Sequence, residues 1–185
     1  MTTAALLLAA GGGSRFAGRE HKLLALVGGR PLYQHALEHA LGAGLDEVIV
    51  VTGAVELDLP AGVTVVTNER WREGQATSLT AGLAAVRAGG HEAVVVGLAD
   101  QPGIPSEAWR LVAAATHRPI AVATFGGVRA NPVRLDESVW TLLPSVGDEG
   151  ARSLMRDQPH LVTEVPCPGQ PGDIDTQEDL ATWNS

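Results

Sequence analysis

Residues 6–24 read LLLAAGGGSRFAGREHKLL: an apolar run ends in three consecutive glycines, followed by Arg15 and then Lys22. The amides of a glycine-rich turn beside two cations make a seat for a multiply charged anion, a polyphosphate above all. Two familiar phosphate loops nearly fit, and both fail. Gly13 and Gly18 have P-loop spacing, but Arg19-Glu20 stands where Lys-Ser/Thr would reach the phosphates and magnesium. Gly11 and Gly13 begin a dinucleotide fingerprint, but Phe16 occupies the place of its third glycine. Two acidic segments complete the set: Ala99-Asp100-Gln101-Pro102, directly after the apolar EAVVVGL, and Gly172-Asp173-Ile174-Asp175-Thr176, ahead of the last helical pattern. Either one alone reads equally well as a helix cap. Opposite a triple-glycine loop with two cations, carboxylates at strand ends instead make a seat for Mg²⁺.

Positioning these groups requires a scaffold, and the spacing of apolar runs supplies one. Ala4–Ala9, Val48–Thr52, Val63–Thr67, Ala93–Leu98 and Ile120–Thr124 are short and apolar on both faces, the pattern of strands in a covered parallel sheet. Helical patterns alternate with them. Leu32, Ala36, Leu37, Ala40 and Leu41 share one face of a helix begun by Pro31. Leu79, Leu83 and Val86 do so in the next helix, and Ala108, Leu111, Val112 and Ala115 in a third. From about Val128 the pattern is mixed: a strand, helices near Glu137–Leu143 and Gly150–Arg156, a strand Leu161–Val165 and a helix Gln177–Trp183. Alternation of this kind predicts a three-layer, doubly wound, mostly parallel α/β sheet, with ligands beyond the carboxyl ends of its strands. With no repeat and no long linker, residues 1–185 are expected to form one domain.

Composition narrows the partners. Lys plus Arg number 13 against 21 Asp plus Glu, a net charge of −8, and the arginines are scattered rather than striped. That argues against a nucleic-acid surface, since phosphate contacts need clustered cations. No apolar run approaches the roughly 20 residues of a membrane span, and the first residues lack a signal peptide's basic region. The one cysteine, Cys167, has no internal partner and, between Pro166 and Pro168, no activating base. A cytoplasmic setting is the expectation.

The chain resembles the MobA/MocA-like nucleotidyltransferases, most closely the molybdenum cofactor cytidylyltransferases. The likeness rests on LAAGGGSRF…K ending at Lys22, GRPLYQHALEHAL (29–41), NERWREGQATSLTAGL (68–83), LADQP (98–102), NPV (131–133), GDEGAR (147–152) and DIDTQEDL (173–180). They follow in the family's order along nearly the whole chain. The resemblance implies a Rossmann-like fold of the nucleotide-diphospho-sugar transferase type. It also implies a triphosphate held by Ala10, Gly11, Gly12, Gly13, Ser14, Arg15 and Lys22, with Thr77 and Ser78 near the base or ribose. Asp100 would hold Mg²⁺, supported by Asp173 or Asp175, of which alternating side-chain direction admits one and Asp175 is favoured. Implied partners are an NTP, CTP favoured by the LAAG form of the first motif; an anionic phosphorylated cofactor acceptor of molybdopterin type; and a molybdoenzyme or its chaperone.

The chemistry suits these residue types. A terminal phosphate of the acceptor is already an anion, so its attack on the α-phosphorus of an NTP needs no side-chain base. Positioning and charge neutralisation carry the catalysis, with Arg15, Lys22 and Asp100 as the catalytic set. A guanylyltransferase, another transferase of the same fold, and a nucleotide-binding protein without turnover stay open as alternatives. The chain departs from the family pattern in RFAGREHK (15–22), which is long and carries Phe16-Ala17, making His21 an outside candidate for the role of Lys22. It departs again at Ala130, before the NPV motif, and at Gln177. His35-Ala36-Leu37-Glu38-His39 matches an inverted zinc-protease motif but lacks a third ligand downstream, and fits a core-packing helix better. Trp71 reads either as a base-stacking residue or as an apolar anchor under the loop.

Overall fold

The first strand, β1 (Thr3–Ala9), is buried along almost its entire length because it lies at the centre of the sheet with strands on both sides. The computed structural model describes residues 1–16 and 20–184; Ala17, Gly18 and Arg19, within the stretch that departs from the family pattern, and Ser185 lie outside them. A short hairpin, β2 (Leu26–Val27) with β3 (Arg30–Pro31), leads into α1 (Leu32–Gly42). Then follow β4 (Glu47–Thr52), β5 (Thr64–Thr67), α2 (Gln75–Ala88), β6 (Ala93–Leu98) and α3 (Ser106–Ala114). The last part holds β7 (Ile120–Phe125), β8 (Val128–Asp136), α4 (Arg152–Asp157), β9 (Val162–Pro166) and α5 (Gln177–Trp183).

Seven strands form one sheet in the order β5-β4-β1-β6-β8-β7-β9. Only β8 runs against the others, pairing antiparallel with both β6 and β7. One apolar layer fills the space between one face of the sheet and α1, α3 and α5; the other lies beneath α2, α4 and the 3₁₀ turn Glu137–Leu142. The result is the three-layer α/β fold that the alternating pattern predicts.

Several expectations need correction. Val63–Thr67 was expected to be apolar on both faces, yet Val65 is half exposed, because β5 is the outermost strand and pairs with β4 alone. Leu41 and Leu111, assigned to core-facing stripes, are exposed as well. A helix buries only about 100° of its circumference, and Leu37 with Ala40 and Ala108 with Val112 already fill that arc. Ala115 lies one residue past the end of α3. The helix expected from Gly150 begins at Arg152, and that expected over Glu137–Leu143 is a 3₁₀ turn.

The sheet order reverses between β1 and β6, so the carboxyl ends of these neighbours form the switch point where such folds bind ligands. Leu8 is in register with Leu98, and the Ala99 amide donates to Leu8 O at 3.0 Å. That register sets Asp100 beside the glycine turn. Inside β6, Gly97 faces the fully buried ring of Trp109 on α3, where a Cβ would collide with the indole. Gly97→Ala should therefore destabilise the protein by about 1–3 kcal/mol through overpacking. Calorimetry should show Tm falling by about 2–4 °C for each kcal/mol; an unchanged Tm would mean that Trp109 yields without cost.

Candidate functional site

Four sequence-selected residues meet at the switch point. Lys22, in a 3₁₀ turn Lys22–Leu24, places Nζ 2.6 Å from Asp100 Oδ2 and 2.8 Å from Asp175 Oδ1. Arg15 Nη2 reaches the other oxygen of Asp175 at 2.8 Å. The lysine and the two carboxylates are 11%, 18% and 19% exposed, whereas Arg15 is 75% exposed. Burial pulls the Lys22 ammonium towards losing its proton, but the attraction and hydrogen bonds of Asp100 and Asp175 outweigh this and raise its pKa.

Local structure explains how these groups arrive. The Ile174 side chain is fully buried and its amide donates to Asp100 O at 3.0 Å, pinning the segment against the end of β6. With Ile174 facing inwards, its two neighbours diverge. Asp175 turns to Lys22 and Arg15, while Asp173 accepts from Gln101 Nε2 at 2.6 Å. Thr176 caps α5 reciprocally with Asp179, and Asp179 Oδ2 also accepts from the Asp175 amide. His21 binds the glycine turn rather than substituting for Lys22. Its Nδ1 accepts from the Leu23 amide, so Nε2 carries the hydrogen and donates to Gly11 O at 2.9 Å. Burial, the largest influence, holds the His21 pKa down, in keeping with a neutral ring.

Beside this junction lies a cavity of about 290 Å³ lined by Ala10, Gly11, Gly12, Trp71, Arg72, Ser78, Asp100 and Asp148. The Trp71 ring packs against Gly12, where a Cβ would come within 2.6 Å of it, and carries the Arg72 guanidinium at 4.3 Å on its face. Ser78 opens into the cavity, and its hydroxyl oxygen accepts from Asn68 Nδ2 at 2.9 Å. Thr77 is buried and serves the scaffold: its hydroxyl also accepts from Asn68 and lies 2.8 Å from Gly74 O and 3.0 Å from Arg70 O. Asn68 opens the NERWREGQATSLTAGL motif, but its role behind Thr77 and Ser78 has no signal in residue type or spacing. Nor does the N-terminal cap of α2: the Ala76 amide donates to Gly147 O, and the Gln75 amide to Asp148 Oδ1, both from a loop more than seventy residues downstream. No local capping pattern could reveal it.

A second, larger cavity of about 580 Å³ shares Leu8 and Gln75 with the first. Its floor is apolar, with Leu79, Val96, Val122 and Met155, while Asn131, Gln101 and Asp173 face it alongside Arg129, Arg152 and Arg156. Asn131 and Pro132 fall where the β7–β8 register slips, since Val122 pairs with Val133 but Ala123 with Ala130. In the HALEH segment, His35 Nε2 lies 2.8 Å from Val27 O and Glu38 pairs with Arg30, so both groups tie α1 to the hairpin.

The junction suits a hard divalent cation. Two carboxylates converge on one ammonium, and Asp100 Oδ1 is buried with no hydrogen-bond partner among the described residues. No group of three His, Cys, Asp or Glu among those residues makes a full cage, so substrate phosphate oxygens would complete the coordination.

Comparison with known proteins bears on the family and the fold. Residues 5–162 match the family profile of the MobA-like NTP transferase domain. The chain is 34% identical to nicotine blue oxidoreductase of Paenarthrobacter nicotinovorans over 95% of this chain and 93% of that protein. It is 27% identical to the purine catabolism protein PucB of Bacillus subtilis strain 168, over 94% and 92%. Among solved structures, Rv0371c from Mycobacterium tuberculosis H37Rv superposes with a TM-score of 0.82 at 26% identity, covering 100% of this chain and 98% of that one. The manganese complex of Rv0371C gives 0.80 at 25% identity, over 99% and 98%.

The Asp173 carboxyl is held above its usual range, first by burial and then by repulsion from Asp100. Such a group favours the fold below its ordinary pKa, and that advantage is lost as pH rises through the raised value. In metal-free buffer at neutral pH, Asp173→Asn should therefore melt above wild type, and the gap should close on acidification through the carboxylate range. Melting curves against pH would check this; a gap that widens in acid would contradict it.

Proposed function

As the chain belongs to the MobA-like NTP transferase family, we propose that it is a metal-dependent cytidylyltransferase, moving CMP from CTP to the terminal phosphate of a phosphorylated, molybdopterin-type cofactor. The observation that carries this reading is the Lys22–Asp100–Asp175 junction, with Arg15 on its rim, at the switch point beside the glycine turn. Residues 1–185 act as one domain in this reading: the segment beyond the profile match supplies Asp175, and α5 packs on the same core.

The smaller cavity takes the nucleotide. Ala10, Gly11 and Gly12 line it and offer backbone to the triphosphate and base, Ser78 offers its hydroxyl, and Gly13 and Ser14, outside the lining, continue the turn. Thr77, bound to Asn68, holds that wall from behind. The larger cavity takes the acceptor, its apolar floor accepting a ring and its arginines the acceptor's negative charge. An acceptor phosphate oxygen bonds to the α-phosphorus as the bond to the β-phosphate bridging oxygen breaks, and pyrophosphate leaves with the electron pair. No proton moves, so the work is charge placement. Mg²⁺, held by Asp100 and Asp175 together with phosphate oxygens, would neutralise the charge developing at the α-phosphate. Arg15 and Lys22 would draw the leaving pyrophosphate. The cytoplasm is the proposed setting, with a molybdoenzyme or its chaperone receiving the product; no helix among the described residues is long and apolar enough to cross a membrane.

One observation favours a second reading: the relative at 34% identity is named an oxidoreductase. The glycine turn, although Phe16 replaces the third glycine of a dinucleotide fingerprint, offers amides to the pyrophosphate of a nicotinamide dinucleotide. Pyrophosphate release on mixing with CTP, Mg²⁺ and phosphorylated molybdopterin decides for the transferase; metal-independent oxidation of NADPH by an added two-electron dye acceptor, without such release, decides for the reductase.

Two predictions follow from the transferase reading. Asp100→Asn should lower kcat for pyrophosphate release by about 10²–10³-fold, the usual scale for losing an electrostatic group at the reacting centre, with circular dichroism unchanged. Near-wild-type turnover would remove Asp100 from the reaction. Competition between CTP and GTP should favour CTP in kcat/KM by roughly 10–200-fold, the discrimination available to a methyl-sized difference such as the Ala10 side chain. Preference for GTP would place the chain with guanylyltransferases.

A further inference from the structure

We infer that Lys22 is a place-holder for the divalent cation: in the nucleotide-free protein its ammonium closes the gap between Asp100 and Asp175, and an arriving triphosphate draws it away. This inference rests on the transferase reading and adds an order to it. Nucleotide and cation enter together, and neither fills the site well alone.

Three observations carry it. First, the ammonium sits in hydrogen-bonding contact with one oxygen of each carboxylate that would hold a cation, at 2.6 and 2.8 Å. A cation on these oxygens would meet the ammonium as a like charge close by, so the two compete for them. Second, Asp100 Oδ1 is buried without a partner among the described residues, so the lysine satisfies the pair incompletely and an acceptor stays free for a better cation. Third, the lysine has somewhere to go. Its stem runs directly beneath the glycine turn, where a Cβ on Gly13 would lie 3.0 Å from Lys22 Cγ. Rotation about the stem can carry Nζ from the carboxylates towards phosphates on that turn while the backbone, tied by His21 to Gly11 O, stays in place.

The charges explain why the two events are coupled. A dication entering while the ammonium remains nearby meets like-charge repulsion inside a partly desolvated site. Phosphates on the turn offer the ammonium a new partner and the cation additional ligands at once. Arg15, mostly exposed and tied to the junction through Asp175, can transfer to the phosphates in the same way.

The test is Mn²⁺ binding to metal-free, nucleotide-free protein, followed by the electron paramagnetic resonance signal of free Mn²⁺. Lys22→Met, confirmed as folded by its melting curve, should bind Mn²⁺ at least about tenfold more tightly than wild type, because a buried positive charge has left the site. Lys22→Gln provides the same comparison should the methionine variant fail to fold. Adding Asp100→Asn to Lys22→Met should abolish the gain. Unchanged or weaker Mn²⁺ binding in the folded variants, or a gain that survives Asp100→Asn, overturns the inference. The transferase reading is judged separately by pyrophosphate release from wild type. Transfer without the Mn²⁺ gain rejects the place-holder alone, and the gain without transfer upholds it as a property of the junction while rejecting the transferase.

Discussion

The Lys22 ammonium between two half-buried carboxylates is the contact on which the organisation of the site depends. It joins three distant stretches of chain: the segment after the glycine turn, the end of β6, and the strap before α5. Without it, Asp100 and Asp175 would meet as like charges at low exposure, with Asp173 close by on the surface, an arrangement a folded chain tolerates only at a cost. The rest of the architecture brings these stretches within reach. Registry of β6 against β1 sets Asp100, burial of Ile174 aims its two neighbours in opposite directions, and the neutral His21 fixes the loop from which Lys22 projects.

The site's two halves differ in how they are built. Around the junction, groups are ionic and mutually compensating, so their positions are set by charge. In the larger cavity, an apolar floor lies beneath arginines already engaged with surface acids, Arg129 with Glu164 and Arg156 with Glu149. Surface pairs of that kind contribute little and exchange partners readily. In the proposed transferase, the ionic half is thus suited to one repeated reaction step, and the apolar half to selection among acceptors.

The sequence was most legible where pattern and burial coincide. Ala93–Leu98 is a strand with those bounds, and Gln177–Trp183 a helix with those bounds, because a continuous apolar run and a Thr-x-x-Asp cap are both local signals. The glycine turn, Arg15, Lys22, Asp100 and Asp175 could be selected by residue type and spacing. Their pairing with one another could not, since it arises from sheet order. What local pattern failed to show was long-range: the antiparallel course of β8, the exposure of β5 as an outer strand, Asn68 behind Thr77 and Ser78, and the remote cap of α2. Leu41 and Leu111 misled because periodicity marks the side of a helix that is apolar, whereas the width of the neighbouring sheet decides how much of it is covered.

The remote cap has a consequence for how such a protein can diversify. Gly147 and Asp148 hold the first amides of α2, whose Ser78 faces the smaller cavity, while Glu149, Gly150 and Ala151, the next residues of the same loop, line the larger one. One short loop is thus a party wall between the two chambers. Under the proposed function, a lineage that remodels it to admit a new acceptor also resets the start of the helix that lines the nucleotide chamber, and changes of acceptor and of base preference are then inherited as a pair.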